Sequence, residues 1–310
     1  MDGAVRSALF PALPLARITV LRTIVYSFVV LDVLTLSADV VSHADNAAYY
    51  TPLLLARLLH LPAMSGLPAH VLQVVIVLAA VAAAAGWRPR STGTVVAITF
   101  WLWMFYSQGY GYVAHDHMAL LVAVAVLPTV AALPSSGTGT VTGTVAASGG
   151  GEATSEPRSE AAGWALRSIQ LAVVATYFFS VIPKILYTGS PAAWANSAIL
   201  TWAAVRRGSL LAHWLLAHTP WIFVPGQWGA LALETLSPVV LFLRGRALYV
   251  AIGLYLSFHL ATLVLLGIHF LPTVICWAAF LPLERWRELR IVRWIARRRR
   301  STSALTEETA

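Results

Sequence analysis

The chain is written as long apolar runs separated by short polar ones. Eight runs are long enough to be read as helices crossing a hydrocarbon core of about 30 Å, which takes roughly 20 residues each. They cover residues 16–38, 68–86, 93–109, 114–133, 163–187, 227–243, 246–266 and 268–283. The runs are uniformly apolar rather than alternating, so strands of a membrane barrel are not expected. A ninth candidate, 207–224, is broken by His213, His218 and Pro220. The first run is too long for a secretory leader and no small-residue cleavage site follows it.

Composition supports the same class. With 58% hydrophobic and 11% charged residues and a mean hydropathy of +0.73, the chain has too little polar surface to cover a soluble globule of 310 residues. The expected fold is an all-α integral membrane protein, a polytopic bundle of about eight transmembrane helices. Cys276 is the lone cysteine, so no internal disulfide is expected.

Arginines orient the spans, because short cytoplasmic loops collect positive charge. Arg6, Arg17 and Arg22 place the N-terminus inside, and Arg88 with Arg90, Arg158 with Arg167, and Arg244 with Arg246 mark three inner connections. The tail from Arg285 to Arg300 lies inside as well, so both termini are expected in the cytoplasm of a multi-pass cell-membrane protein. A span over 207–224 would put that tail outside. Residues 188–226 are therefore an outer segment, partly interfacial through Trp194, Trp202, Trp214 and Trp221, although Arg57, Arg206 and Arg207 then fall on the outer side. The chain divides into a four-span half (1–133), a low-complexity flexible cytoplasmic linker (134–162), a second four-span half (163–286) and a basic tail (287–310). The net charge of +8 is explained by this bias and by attraction to anionic membrane lipids, and no nucleic-acid-reading module accompanies it. The tail reads as an amphipathic interfacial helix.

Titratable groups inside spans are few and each needs a reason. Asp32 lies deep in the first span, where it is expected to pair with an arginine or a hydroxyl. His115, Asp116 and His117 open the fourth, Lys184 closes the fifth, Glu234 follows in the sixth, His259 lies in the seventh, and His269 comes just after it. The orientation puts the histidines and the lysine in the outer leaflet. Lys184 is the only lysine beside 20 arginines, and unlike arginine a lysine can give up its proton when desolvated. It follows Pro183, where the helix is expected to kink or end, and sits one turn from Ser180. Two readings stand: a base in an apolar pocket, or an anchor whose head reaches the interface. For His259, pairing with Glu234 is the packing alternative. The two-residue spacing of His115 and His117 puts them on different helix faces, and no HExxH pattern is present, so no metal site is expected.

Four segments in order resemble HTTM proteins, the bacterial relatives of vitamin K-dependent gamma-carboxylase, over roughly residues 15 to 285. They are "LRSIQLAVVATYFFSVIPKILYTGSPAAWANSAIL" (166–200), with its lysine followed by a tryptophan, "HDHMALLVAVAVLP", "LALETLSPVVLF" and "FHLATLVLLGIHFLPTVICWAAFLP". In that carboxylase the lysine deprotonates a reduced quinone, oxygen converts the product to a strong alkoxide base, and carbon dioxide adds to the carbanion that the base creates. The resemblance implies catalytic roles for Lys184, His117 and His259, with His115 the alternative to His117, and a pocket including Asp116, Tyr177, Ser180, Glu234 and His269. A lipophilic small molecule such as a reduced quinone is the implied substrate, with O2 or CO2 as co-substrate. The "VIPK" turn departs from the family pattern. The chain ends shortly after the last span, so carboxylation of a propeptide-bearing protein is not expected. Two other classes use the same residues: a proton-coupled carrier, for which they form a relay, and a non-catalytic scaffold, in which they only pair with one another.

Overall fold

The computed structural model describes residues 6, 9–111, 115–131 and 157–288, with side chains to 285. Most of the expected linker, most of the basic tail and the extreme N-terminus lie outside the described residues. Every long element is a helix. Four helices are long and apolar enough to cross a membrane: Leu15–Leu36, Gly66–Ala84, Glu160–Thr188 and Gly245–Leu266.

Helix α1 (Leu15–Leu31) continues as a π-helical turn over Asp32–Leu36. Gly66–Ala84 forms α2, rich in alanine, valine and leucine. Helix α3 (Pro89–Ser107) starts on a proline whose missing N–H would have had no helical partner there. Its first turns carry Arg90, Ser91, Thr92 and Thr94, which makes it the most polar of the long helices. The expected fourth span is short. One tight turn at His115–His117, α4 (Met118–Val126) and a second turn to Thr129 make it up. Helix α5 (Glu160–Thr188) is the longest at 29 residues, about 43 Å at 1.5 Å per residue. Of the two outcomes expected at Pro183, a kink or an end, the helix does not end there: it runs five residues further, to Thr188, and Gly189, with a φ of 84°, closes it in the left-handed region.

The segment read as an outer connection contains α6 (Ala198–Arg207) and α7 (Leu210–His218). Helix α8 (Phe223–Leu236) with its following turn to Leu241, α9 (Gly245–Leu266) and α10 (Leu271–Cys276) complete the described bundle. The expected eighth span is thus a ten-residue apolar helix, Leu271–Phe280, too short to cross alone. A two-residue antiparallel ladder joins β1 (Leu13–Pro14) to β2 (Arg158–Ser159). The end of the expected linker is therefore paired backbone and the first turn of α5.

Burial runs opposite to a soluble bundle. On α2, Leu67, Val71, Val74, Leu78 and Val81 recur at helical spacing on the exposed face, while Ala69, Ile76, Ala80 and Ala83 are buried. On α9 the inward face carries the polar groups Tyr255 and His259, and the outward face carries Val250, Leu254, Leu260 and Leu263. An apolar stripe facing outward is the signature of a lipid-facing surface. The core is centred on Tyr26, Phe100, Trp103 and Trp277, each 2% exposed or less. Arg22, buried in α1, donates to the carbonyls of Leu127 (2.8 Å) and Val130 at the end of the α4 segment. A cation there satisfies carbonyls that have no helical partner.

Candidate functional site

One face of α5 makes the wall of a cavity of about 950 Å³. Ala172, Ala175, Thr176, Phe179, Pro183 and Tyr187 follow one another at spacings of one, three and four, so they form one stripe. Glu234 of α8, Phe258 and His259 of α9, Phe270 and Thr273 around α10, His115 just ahead of α4 and Met118 at its start close the other sides. The lining is mostly apolar. Its polar groups gather at two places.

The first is Lys184. Its ammonium forms an ion pair with the Glu234 carboxylate and lies 3.5 Å from the Ser180 hydroxyl. The Trp194 ring stands 4.9 Å away, the distance of a cation–π contact. Trp194 is held in turn, because Gln227 donates to its carbonyl. Lys184 is part-buried, so its head is not simply extended into solvent or the interface.

The second place is an aromatic chain. Trp277 donates its indole N–H to the Tyr177 hydroxyl at 3.1 Å, and the same hydroxyl contacts Nε2 of His259. Indole is a donor only. The arrangement that satisfies the hydroxyl proton therefore has Tyr177 donating to His259 Nε2, leaving the imidazole proton on Nδ1. That atom is buried and has no hydrogen-bond partner among the described residues. Tyr255 packs on Tyr177 with ring centroids 4.9 Å apart and donates to the Leu233 carbonyl at 2.6 Å, one residue before Glu234. Phe270 bridges the histidines, 5.1 Å from His259 and 6.1 Å from His115 between ring centroids.

Of the residues expected in the pocket, Lys184, His259, His115, Tyr177, Ser180 and Glu234 line this cavity. His117 does not. It is only 5% exposed, with Nε2 2.9 Å from Asp32 and Nδ1 3.2 Å from Asp116. Asp32 also accepts from the Ser37 hydroxyl at 2.9 Å, and Ser37 accepts from the Trp103 indole at 2.8 Å. This network is packed inside the bundle, where the expected hydroxyl partner of Asp32 is Ser37. Its carboxylates are paired with one imidazole, which is how buried charge is kept tolerable. Asp116 joins that network, and its backbone carbonyl accepts from Thr273 at 2.7 Å. His269 lies beside α10 and off the cavity wall, its Nδ1 without a partner among the described residues. Glu234 pairs with Lys184 rather than with His259. Sequence reasoning missed Trp277, Phe270 and Thr273, and nothing in their pattern distinguishes them from ordinary apolar packing.

A second cavity, of about 820 Å³, opens beside the other end of α5, lined there by Gly163, Leu166, Arg167 and Gln170. Arg167 and Lys184 are 17 residues apart, about 25 Å along the helix. The lysine and the cavity histidines thus stand at one end of α5 and the arginines at the other. No family model, no curated protein and no solved structure matches the chain.

Proposed function

We propose that this is a multi-pass membrane protein of the HTTM kind that binds a lipophilic molecule bearing an ionisable O–H, such as a reduced quinone, and moves the proton of that group. The carrying observation is the gathering of Lys184, Glu234, Ser180 and His259 on the wall of an otherwise apolar cavity. Apolar walls with a few convergent polar groups suit a molecule that is mostly hydrocarbon with one reactive end. In the ion pair the proton belongs to Lys184, and it must pass to Glu234 before the lysine can act as a base. With that proton on Glu234, the amine of Lys184 accepts the substrate hydroxyl proton, giving ammonium and a substrate oxyanion. The Nδ1–H of His259 is buried and without a partner among the described residues, and a binding step that opens it to the cavity would let it donate to the oxyanion. Reaction of that anion with O2 is the later step implied by the HTTM resemblance, with CO2 entering only by addition to a carbanion that the resulting alkoxide base creates.

In this reading all eight apolar segments contribute to crossing the cell membrane, both termini are cytoplasmic and the Lys184 cavity opens toward the outer leaflet. A carrier would need access to one site from both ends, and the two cavities share no lining residue. The test combines mass spectrometry of lipid extracts from the purified protein with the variants Lys184→Arg and Lys184→Met. A co-purifying quinone, lost in Lys184→Met, together with an abundant but inactive Lys184→Arg protein, is the expected result. Arginine keeps charge and reach but holds its proton at neutral pH, so full cellular complementation by Lys184→Arg would sink the proposal.

A further inference from the structure

The pair of Lys184 and Glu234 stands where a lysine can do more than move a proton. Lys184 is the only lysine of the chain and so its only side-chain primary amine. Its ammonium is ion-paired with the Glu234 carboxylate and lies 4.9 Å from the Trp194 ring. An arginine would make the same salt bridge and stack on the same ring. What an amine adds is a nucleophilic nitrogen that condenses with a carbonyl carbon.

The surroundings fit the product of that condensation. A protonated imine carries the same single positive charge as the ammonium it replaces. The carboxylate and the indole face that hold the one therefore hold the other, and no new charge is buried. Ionisable groups within membrane spans serve ligands as counter-ions in this way. Away from the lysine, Ala172, Ala175, Phe179, Phe258 and Phe270 make the wall apolar. The volume of about 950 Å³ is near the upper end of the range for small-molecule sites, about 300–1,000 Å³. A molecule with a large hydrocarbon body and a carbonyl at one end matches both parts. The lysine side chain is 22% exposed and on the cavity wall, within reach of such a molecule.

We infer that Lys184 captures a lipophilic aldehyde as a protonated imine, with Glu234 as counter-ion and the hydrocarbon in the apolar part of the cavity. The step balances without a further reactant. The ammonium passes a proton to Glu234, and the free amine adds to the carbonyl carbon. A proton then moves from nitrogen to the former carbonyl oxygen, giving a carbinolamine. Glu234 returns its proton to that hydroxyl, which leaves as water, and the new C=N bond carries the positive charge. Nothing is oxidised or reduced: ammonium and aldehyde have become protonated imine and water. The inference needs the cavity and the ion pair, and does not rest on the O–H substrate proposed above.

The experiment is reductive trapping of the full-length protein in lipid nanodiscs, with hexadecanal or propanal and with cyanoborohydride, which fixes an imine by adding hydride to its carbon. Arg206→Lys, at an exposed position on α6 beside Trp202, supplies a reference lysine on the same chain. Peptide mass spectrometry then gives the ratio of the two adducts. Hexadecanal should favour Lys184 by about tenfold or more, equivalent to about 1.4 kcal/mol, whereas propanal, with little to bury, should favour the exposed reference. Adding Ala175→Phe, which fills part of the apolar wall, should lower the hexadecanal ratio about tenfold and leave the propanal ratio unchanged. Should that variant fail to fold, the comparison of the two aldehydes decides alone. Hexadecanal labelling of Lys184 no faster than the reference would overturn the inference. So would an equal preference with propanal, the mark of a merely reactive amine, or a folded Ala175→Phe protein with an unchanged hexadecanal ratio. A quinone that co-purifies with a protein trapping nothing at Lys184 would refute this inference and leave the proton-transfer reading standing. Trapping alongside full complementation by Lys184→Arg would do the opposite.

Discussion

Removing the Glu234 carboxylate tests the geometry of the Lys184 site most directly. In Glu234→Gln the ammonium loses its counter-charge and keeps only the Ser180 hydroxyl at 3.5 Å and the Trp194 face at 4.9 Å. Breaking a fully buried ion pair from one side costs about 3–5 kcal/mol, whereas an exposed pair contributes about 0–1 kcal/mol. Lys184 and Glu234 have side chains 22% and 11% exposed, so the cost falls between these limits, about 2 kcal/mol. Lys184→Met should cost a similar amount by leaving the carboxylate alone. The double variant leaves neither charge stranded, so its loss should fall short of the summed single losses by about 2 kcal/mol. The assay is equilibrium unfolding of the four purified proteins in mixed micelles as the mole fraction of denaturing detergent rises. Additivity of the two singles to within about 0.5 kcal/mol would mean that no pair forms, and the polar end of the proposed site would go with it.

His117→Ala should destabilise the protein by about 2–3 kcal/mol by stripping Asp32 of its imidazole, whereas His115→Ala, on the exposed cavity wall, should leave unfolding unchanged. Equal effects would contradict the separation of the two histidines. Gly163→Ala should cost about 1–3 kcal/mol, because a Cβ there would meet the Pro11 carbonyl oxygen at 1.7 Å and only backbone movement could relieve it; a silent substitution refutes that close approach. Burial alone would raise the Glu284 carboxyl, but hydrogen bonds from Arg17 outweigh it and hold the group below its ordinary value of 4.5. A depressed folded-state value means that the pair's stabilisation is fully present above the unfolded value and is lost as pH falls through the folded one. Unfolding followed from about pH 6 to pH 3 should therefore show an acid-side loss that Arg17→Gln reduces, and an identical acid limb in both proteins would argue against the pair.

Much of the site was legible because membrane spans make polar residues conspicuous. A lone lysine among arginines, and imidazoles within apolar runs, are rare enough that counting spans brought Lys184, His117 and His259 to one leaflet, while Glu234 entered as a candidate partner of His259 and through the family resemblance. Their pairing was not legible. Whether Glu234 reaches Lys184 or His259 depends on how α8 is rotated against α5, and apolar runs without a polar face carry no rotational signal. The displacement of His117 has another cause. The π-helical turn over Asp32–Leu36 changes the local register of α1 and places Ser37 beside Asp32, so that aspartate and imidazole close a network of their own. Trp277 was hidden because a tryptophan in the middle of an apolar run reads as ordinary packing. The helical class was plain from composition, whereas the span count was not, because α4 and α10 are too short to announce by length alone what they do.

The ladder between Leu13–Pro14 and Arg158–Ser159 has a consequence for how the protein is made. The Leu15 N–H donates to the Pro157 carbonyl at 3.0 Å, and the Arg158 guanidinium closes on the Ala12 carbonyl across 146 residues of sequence at 2.7 Å. During synthesis the N-terminal half of this clasp has no partner until its C-terminal half has been translated. At about 5–20 residues per second that interval is about 7 to 30 s, long enough for the first helices to insert and pack against one another before the clasp can shut. The entry of α5 is then registered against a half that is already built. Helices α1 to α4 form an excursion that returns to its starting point, so the two halves meet through backbone hydrogen bonds that most side-chain substitutions would leave in place.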